Sequence, residues 1–139
     1  MIKLIQELIL DGQEQDFFTG TVRNLEVIPV ERKATVILGV RRCGKSTFLN
    51  QVIARLHHEG IKPENILYIN FFDDRLSFLR TQGIGLVTEA YYLLYPEKKN
   101  EEKVFCFFDE IQVFDGWESF IDRMLRNENC EVYISGSSA

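Results

Sequence analysis

Hydrophobic residues in this chain come in two rhythms, short unbroken runs and helical repeats, and the two alternate. Ala34–Leu38, Ile66–Phe72, Val104–Phe108 and Glu131–Ile134 are brief apolar, β-branched or aromatic runs, the pattern of strands buried on both faces. Between them apolar positions recur every three or four residues. Ile2, Ile5, Leu8 and Ile9 predict an opening helix, stopped by Asp11-Gly12. Phe48, Leu49, Val52, Ile53 and Leu56 predict a second from Lys45 to about Glu59, with Gly60 at its C′ position and Pro63 barring continuation. Leu86, Val87, Ala90, Tyr91 and Leu94 predict a third, ended by Pro96. Trp117, Phe120, Ile121, Met124 and Leu125 mark a fourth after the Asp115-Gly116 turn. Residues 13–33 read as an irregular connection, and Glu97–Lys103 as a solvated loop.

Strands alternating with helices predict an α/β fold with a mostly parallel sheet and right-handed crossovers. Ligands of such sheets sit at the carboxyl ends of the strands. Here every predicted strand turns polar at that end: Gly39–Ser46, Asp73-Asp74, Asp109-Glu110 and Ser135–Ser138.

Gly39-Val40-Arg41-Arg42-Cys43-Gly44-Lys45-Ser46 fits G-x-x-x-x-G-K-[ST] between a predicted strand and a predicted helix. That context makes the motif an anion cradle. Backbone N–H groups point inward, the helix dipole favours negative charge, and Lys45 adds a full positive charge. Gly39, Arg41, Arg42, Cys43, Gly44, Lys45, Ser46 and Thr47 are therefore the candidate nucleotide-binding residues, with ATP or ADP as the expected ligand.

Asp109 follows a strongly apolar strand and is a candidate Mg²⁺ carboxylate together with Ser46. Glu110, the next residue, is placed to polarise a water for attack on the γ-phosphorus, with Lys45 stabilising the phosphates. Ser135 and Ser137 are candidate sensors at the end of the last strand. No Asn-Lys-x-Asp run of the kind that reads guanine is present, so ATP is favoured over GTP. A nucleotide-binding switch with little turnover is the alternative to an ATPase.

Composition narrows the field. A net charge of −5 gives no support for a nucleic-acid-gripping surface. No apolar run approaches membrane-spanning length and the N-terminus lacks signal-peptide features, so a cytoplasmic protein is expected. Cys43, Cys106 and Cys130 are too scattered for a metal site. Cys43, beside Arg42 near a helix N-terminus, is a candidate reactive thiol or simply loop filler, whereas Cys106 and Cys130 are expected to be buried. Adjacent His57 and His58 read as a solvated helix end. A homo-oligomer of the full-length protein is a further candidate assembly.

The P-loop with its following Thr-Phe-Leu, Ile-Asn-Phe-Phe-Asp, Phe-Phe-Asp-Glu-Ile-Gln with Gly-Trp-Glu, and Ile-Ser-Gly-Ser-Ser-Ala together resemble the prokaryotic AAA-like P-loop ATPases. The resemblance runs from about Ile28 to Ala139, and is strongest to the group whose ATPase module precedes a restriction-endonuclease-like domain. It implies a P-loop NTPase three-layer sandwich of the additional-strand, catalytic-glutamate type. It also implies ATP, Mg²⁺, a Walker B role for Asp109, catalysis by Glu110 and a sensor within Ser135–Ser137. Residues 1–27 then form an N-terminal helix and connection, and 28–139 an ATPase core expected to be incomplete before its lid and arginine finger.

Overall fold

Four parallel strands and one antiparallel edge strand make a single sheet among the described residues. The computed structural model describes residues 2–14, 26–30, 34–39, 45–99 and 101–137, of which 26–30, 34–39, 45–48 and 136–137 are described through the backbone alone. Helix α1 (Ile2–Glu14) is followed by β1 (Glu26–Val30), β2 (Ala34–Gly39) and α2 (Lys45–His58). Then come β3 (Ile66–Asn70), the short α3 (Leu79–Gln82), α4 (Leu86–Leu94), β4 (Val104–Asp109), α5 (Trp117–Asn127) and β5 (Cys130–Ser137). The strand order is β1-β2-β5-β4-β3.

Period-two alternation divides the central strands between two cores. Val104, Cys106 and Phe108 of β4, with Val132 and Ile134 of β5, face the cluster that includes Ala90 of α4 and Ile121 of α5. Phe105 and Phe107 face the opposite cluster, built on Leu49, Val52, Ile53 and Leu56 of α2. All six residues of β4 are buried, as a strand covered on both faces requires. Cys106 and Cys130 are buried as expected, and His57 and His58 are exposed at the end of α2. That helix closes as read, with Gly60 at φ 94° and the Ile61 N–H donating to the Leu56 carbonyl at 3.0 Å.

Four expectations change. Helix α1 does not stop at Asp11-Gly12 but runs to Glu14. Gly12 is buried against β3, where an added Cβ would meet the Tyr68 carbonyl oxygen at 3.3 Å. The glycine marks a close approach of helix to strand, not a cap. Second, residues 26–30 of the supposed irregular connection form β1, antiparallel to β2. Pro29 lies within it, acceptable because β1 is an edge strand and needs no full ladder of donors. Third, the last strand does not end at Ile134 but continues through Ser135-Gly136-Ser137, in register with Ile37, Leu38 and Gly39 of β2. Finally, Lys98 in the supposed solvated loop is buried, its ammonium 3.1 Å from Glu102.

Candidate functional site

The backbone supplies the frame that a P-loop needs. Strand β2 ends at Gly39, beside Ser137 of β5, and α2 begins at Lys45. Arg41, Arg42, Cys43 and Gly44 lie outside the described residues, as do the side chains of Lys45, Ser46, Thr47 and Ser137. Strand β5 separates β2 from β4, so the acids at the end of β4 are one strand removed from the P-loop strand.

Asp109 is the last residue of β4 and is 3% exposed. Hydroxyls from both neighbouring strands hold its carboxylate. Ser135 of β5 donates to Oδ1 in a short hydrogen bond, and Tyr68 of β3 donates to Oδ2 at 3.1 Å. The backbone is tied as well, with the Phe71 N–H donating to the Asp109 carbonyl at 2.9 Å. Behind this end of the sheet the Phe71 ring packs edge-on against Phe108 and Phe114, with centroids 5.6 and 5.5 Å away. Burial, followed by the charge of Asp109 and the hydrogen bond to it, pushes the Tyr68 phenol well above its ordinary value. Tyr68 therefore remains a donor throughout the physiological pH range.

Glu110 is 7% exposed and sits at φ 58°, ψ 40°, the one non-glycine residue with positive φ among the described residues. The left-handed conformation costs an L-residue roughly 1–2 kcal/mol. It is over-determined by its surroundings. The Glu110 N–H donates to Ser135 Oγ at 3.1 Å, and the Gln112 amide donates to Glu110 Oε2 at 2.5 Å. Ser135, 1% exposed, thus joins the two acids by donating to one side chain and accepting from the other's backbone.

The structure brings Asp109, Glu110 and Ser135 together. Two partners were missed from sequence: Tyr68, hidden inside an apolar run, and Gln112, two residues beyond the acid pair in Asp-Glu-Ile-Gln. Period-two counting back from Asn70, which pairs with Asp109, places Tyr68 beside that acid. Asp73, at the next strand end, is committed elsewhere, to Arg75 at 2.7 Å and the turn after β3. A cavity of about 250 Å³ lies on the α1 side of β3, lined in part by Asp11, Gly12, Tyr68, Asn70 and Arg75. It is separate from the acid pair, with Tyr68 bordering both.

Comparison with known proteins shows the family. A family model described as an AAA domain matches residues 31–139, and the chain belongs to that family. An uncharacterized protein of Haemophilus influenzae is 35% identical over 106 residues, covering 75% of this chain and 25% of that protein. An uncharacterized protein of Methanocaldococcus jannaschii, MJ1544, is 34% identical over 137 residues, covering 98% of this chain and 28% of that one. The chain therefore spans about a quarter of the length of the curated relatives it matches. No solved structure matches it. Membership of the AAA family points to nucleotide-dependent activity, and no helix among the described residues is long and apolar enough to cross a membrane.

Proposed function

We propose that this chain is the core of a Mg²⁺-dependent ATPase, a P-loop NTPase three-layer sandwich of the additional-strand type. The observation that carries the reading is the construction around Asp109 and Glu110. A buried carboxylate is oriented by hydroxyls from both flanking strands, and a second acid is held beside it at the expense of backbone strain. A fold with only structural needs has no reason to keep two buried acids at the end of one strand. The position of β5 between β2 and β4 supports the additional-strand reading.

The roles follow from chemistry. Asp109 is a hard oxygen donor suited to Mg²⁺, with Ser46 as its partner in the proposal, and Ser135 and Tyr68 keep its oxygens directed. The ion supplies neutralisation of the charge on the β- and γ-phosphates. Lys45 and the amides of the loop hold the phosphates. Glu110 takes a proton from water as the oxygen bonds to the γ-phosphorus. The bond from that phosphorus to the bridging oxygen breaks, and its electron pair leaves with ADP. For the whole protein we infer the further elements that the resemblance implies, a lid, an arginine finger and an endonuclease-like domain.

Glu110→Gln tests the reading in the full-length protein. It should keep Mg·ATP affinity while slowing phosphate release by about 10²-fold or more, the size of a general-base effect. Equal rates in wild type and variant would move catalysis to another residue. ATP binding without hydrolysis in the wild type would favour the regulatory switch.

A further inference from the structure

Gln112 makes a contact that the roles above do not use. It lies in the tight turn Ile111–Val113, directly after the strained Glu110, and donates its amide N–H to Glu110 Oε2 at 2.5 Å. The other end of the same amide is unmet. Gln112 Oε1 is shut away from solvent and has no hydrogen-bond partner among the described residues. Flipping the amide does not help, because it would set a carbonyl oxygen against the Glu110 carboxylate. A buried acceptor kept without a donor calls for an explanation, of which a catalytic role and a bound water are two.

We infer that Gln112 is a water-positioning residue, holding the Glu110 carboxylate with its N–H and accepting the second hydrogen of the attacking water at Oε1. The inference rests on the ATPase reading. The two heavy atoms at the end of an amide are roughly 2.3 Å apart. Oε1 therefore lies within about 5 Å of Glu110 Oε2; closed to solvent in this structure, it meets the water when nucleotide and water enter the site together, with hydrogen bonds of about 2.8 Å to each side. A water has two hydrogens to place. One goes to Glu110 and is transferred as the proton; the other stays bonded to Gln112. With both hydrogens fixed, a lone pair of the oxygen is turned toward the γ-phosphorus. The new O–P bond forms with that pair while the bridging P–O bond breaks, and the proton rests on Glu110. Gln112 thus fixes the direction of attack and Glu110 supplies the base.

The test uses Gln112→Leu and Gln112→Met in the full-length protein, both close in size and unable to form these hydrogen bonds. Three readouts are taken: Mg·ATP affinity, steady-state hydrolysis and thermal unfolding. Affinity and KM should stay within about twofold, while kcat falls roughly tenfold to a hundredfold, less than loss of the base itself. Losing the orphaned acceptor is offset by losing the donor to the buried Glu110 carboxylate, so Tm should stay within roughly 2–4 °C of wild type in either direction. Combined with Glu110→Gln, either variant should add little further loss, because the two residues act as one unit. Wild-type kcat in both variants, alongside an inactive Glu110→Gln, overturns the role of Gln112 and leaves the ATPase reading standing. A lower Tm with weaker nucleotide binding in both variants assigns Gln112 to structure and overturns it as well. A wild-type protein that does not hydrolyse ATP removes the parent reading and this inference together.

Discussion

Strands β3 and β4 lie side by side, and both are followed or closed by an acid, yet the two acids have opposite lives. Asp73 comes shortly after β3 and is partly exposed. Its partners are two residues away: the Arg75 N–H at 3.0 Å, the Arg75 Nε at 3.0 Å and the Arg75 Nη2 at 2.7 Å. Asp109 closes β4, is buried, and takes its hydroxyl partners from residues 41 and 26 positions away. One acid caps a turn; the other is placed by the whole sheet. The backbone tells the same story. After β3 the chain turns through ordinary conformations helped by Asn70 Oδ1 and Asp73, whereas after β4 it passes through the left-handed Glu110. Local partners satisfy a carboxylate without committing the rest of the fold. Distant partners orient it against elements that cannot move independently, which is what a metal or phosphate site requires.

The largest effect should come from removing the hydroxyl that links the two acids. Ser135→Ala takes a donor from Asp109 and the acceptor from the Glu110 N–H in a site where both groups are buried. Unfolding stability should fall by about 3 kcal/mol, with hydrolysis impaired alongside it. Tyr68→Phe breaks one bond to the same carboxylate and should cost about 1.5 kcal/mol. Urea unfolding of the two variants checks the order. If Ser135→Ala is no more harmful than Tyr68→Phe, the serine is not the joint between the acids.

Next comes the strain itself. Glu110→Ala and Glu110→Gly both delete the carboxylate, so both should be inactive. They differ in backbone freedom alone, because glycine enters the left-handed region without steric penalty. Glu110→Gly should therefore be more stable than Glu110→Ala by about 1 kcal/mol, read from the difference in urea midpoints at constant m-value. Equal stabilities would mean that the turn relaxes in the variants and that φ 58° is held by the side chain rather than by the strand end.

How much of this was visible in the chain follows the same division between near and far. The apolar runs for β2–β5, the helical repeats and the frame of the P-loop depend on neighbours in sequence, and they were legible. So was the acid pair, because five apolar residues, Val104–Phe108, running into Asp109-Glu110 declare a buried strand ending in charge. Strand β1 was not, since Pro29 and mixed polarity hide an edge strand whose only justification is β2. Gly12 looked like a stop because the strand it packs against is 56 residues further on. Ser135-Gly136-Ser137 looked like the polar stretch beyond the last strand until the register with β2 extended the strand through it. Tyr68 was concealed for the opposite reason. Within Ile66–Asn70 an aromatic counts as core, and only the pairing of β3 with β4 brings its hydroxyl to Asp109.

The smallest effect belongs to Asp73, and it completes the contrast. Its hydrogen bonds from Arg75 hold the carboxyl below the usual carboxylate range against a modest opposing effect of burial. A depressed folded-state pKa means that the ionised form is the one the fold prefers. The resulting stabilisation is present above the unfolded-state pKa and is lost as pH falls through the folded one. Asp73→Asn should then lower Tm slightly at neutral pH, and the gap from wild type should close below the ordinary carboxylate range. Added salt should narrow it too, because the pair is largely open to solvent. ATP hydrolysis should be unchanged, since Asp73 serves its own turn and not the acid pair. Thermal scans of both proteins from pH 7 to acid, paired with a hydrolysis assay at neutral pH, decide the matter. A Tm gap that persists at low pH would show that the side chain acts through packing and not through charge. A large loss of activity would place Asp73 in the site with Asp109 and erase the distinction between the two strand ends.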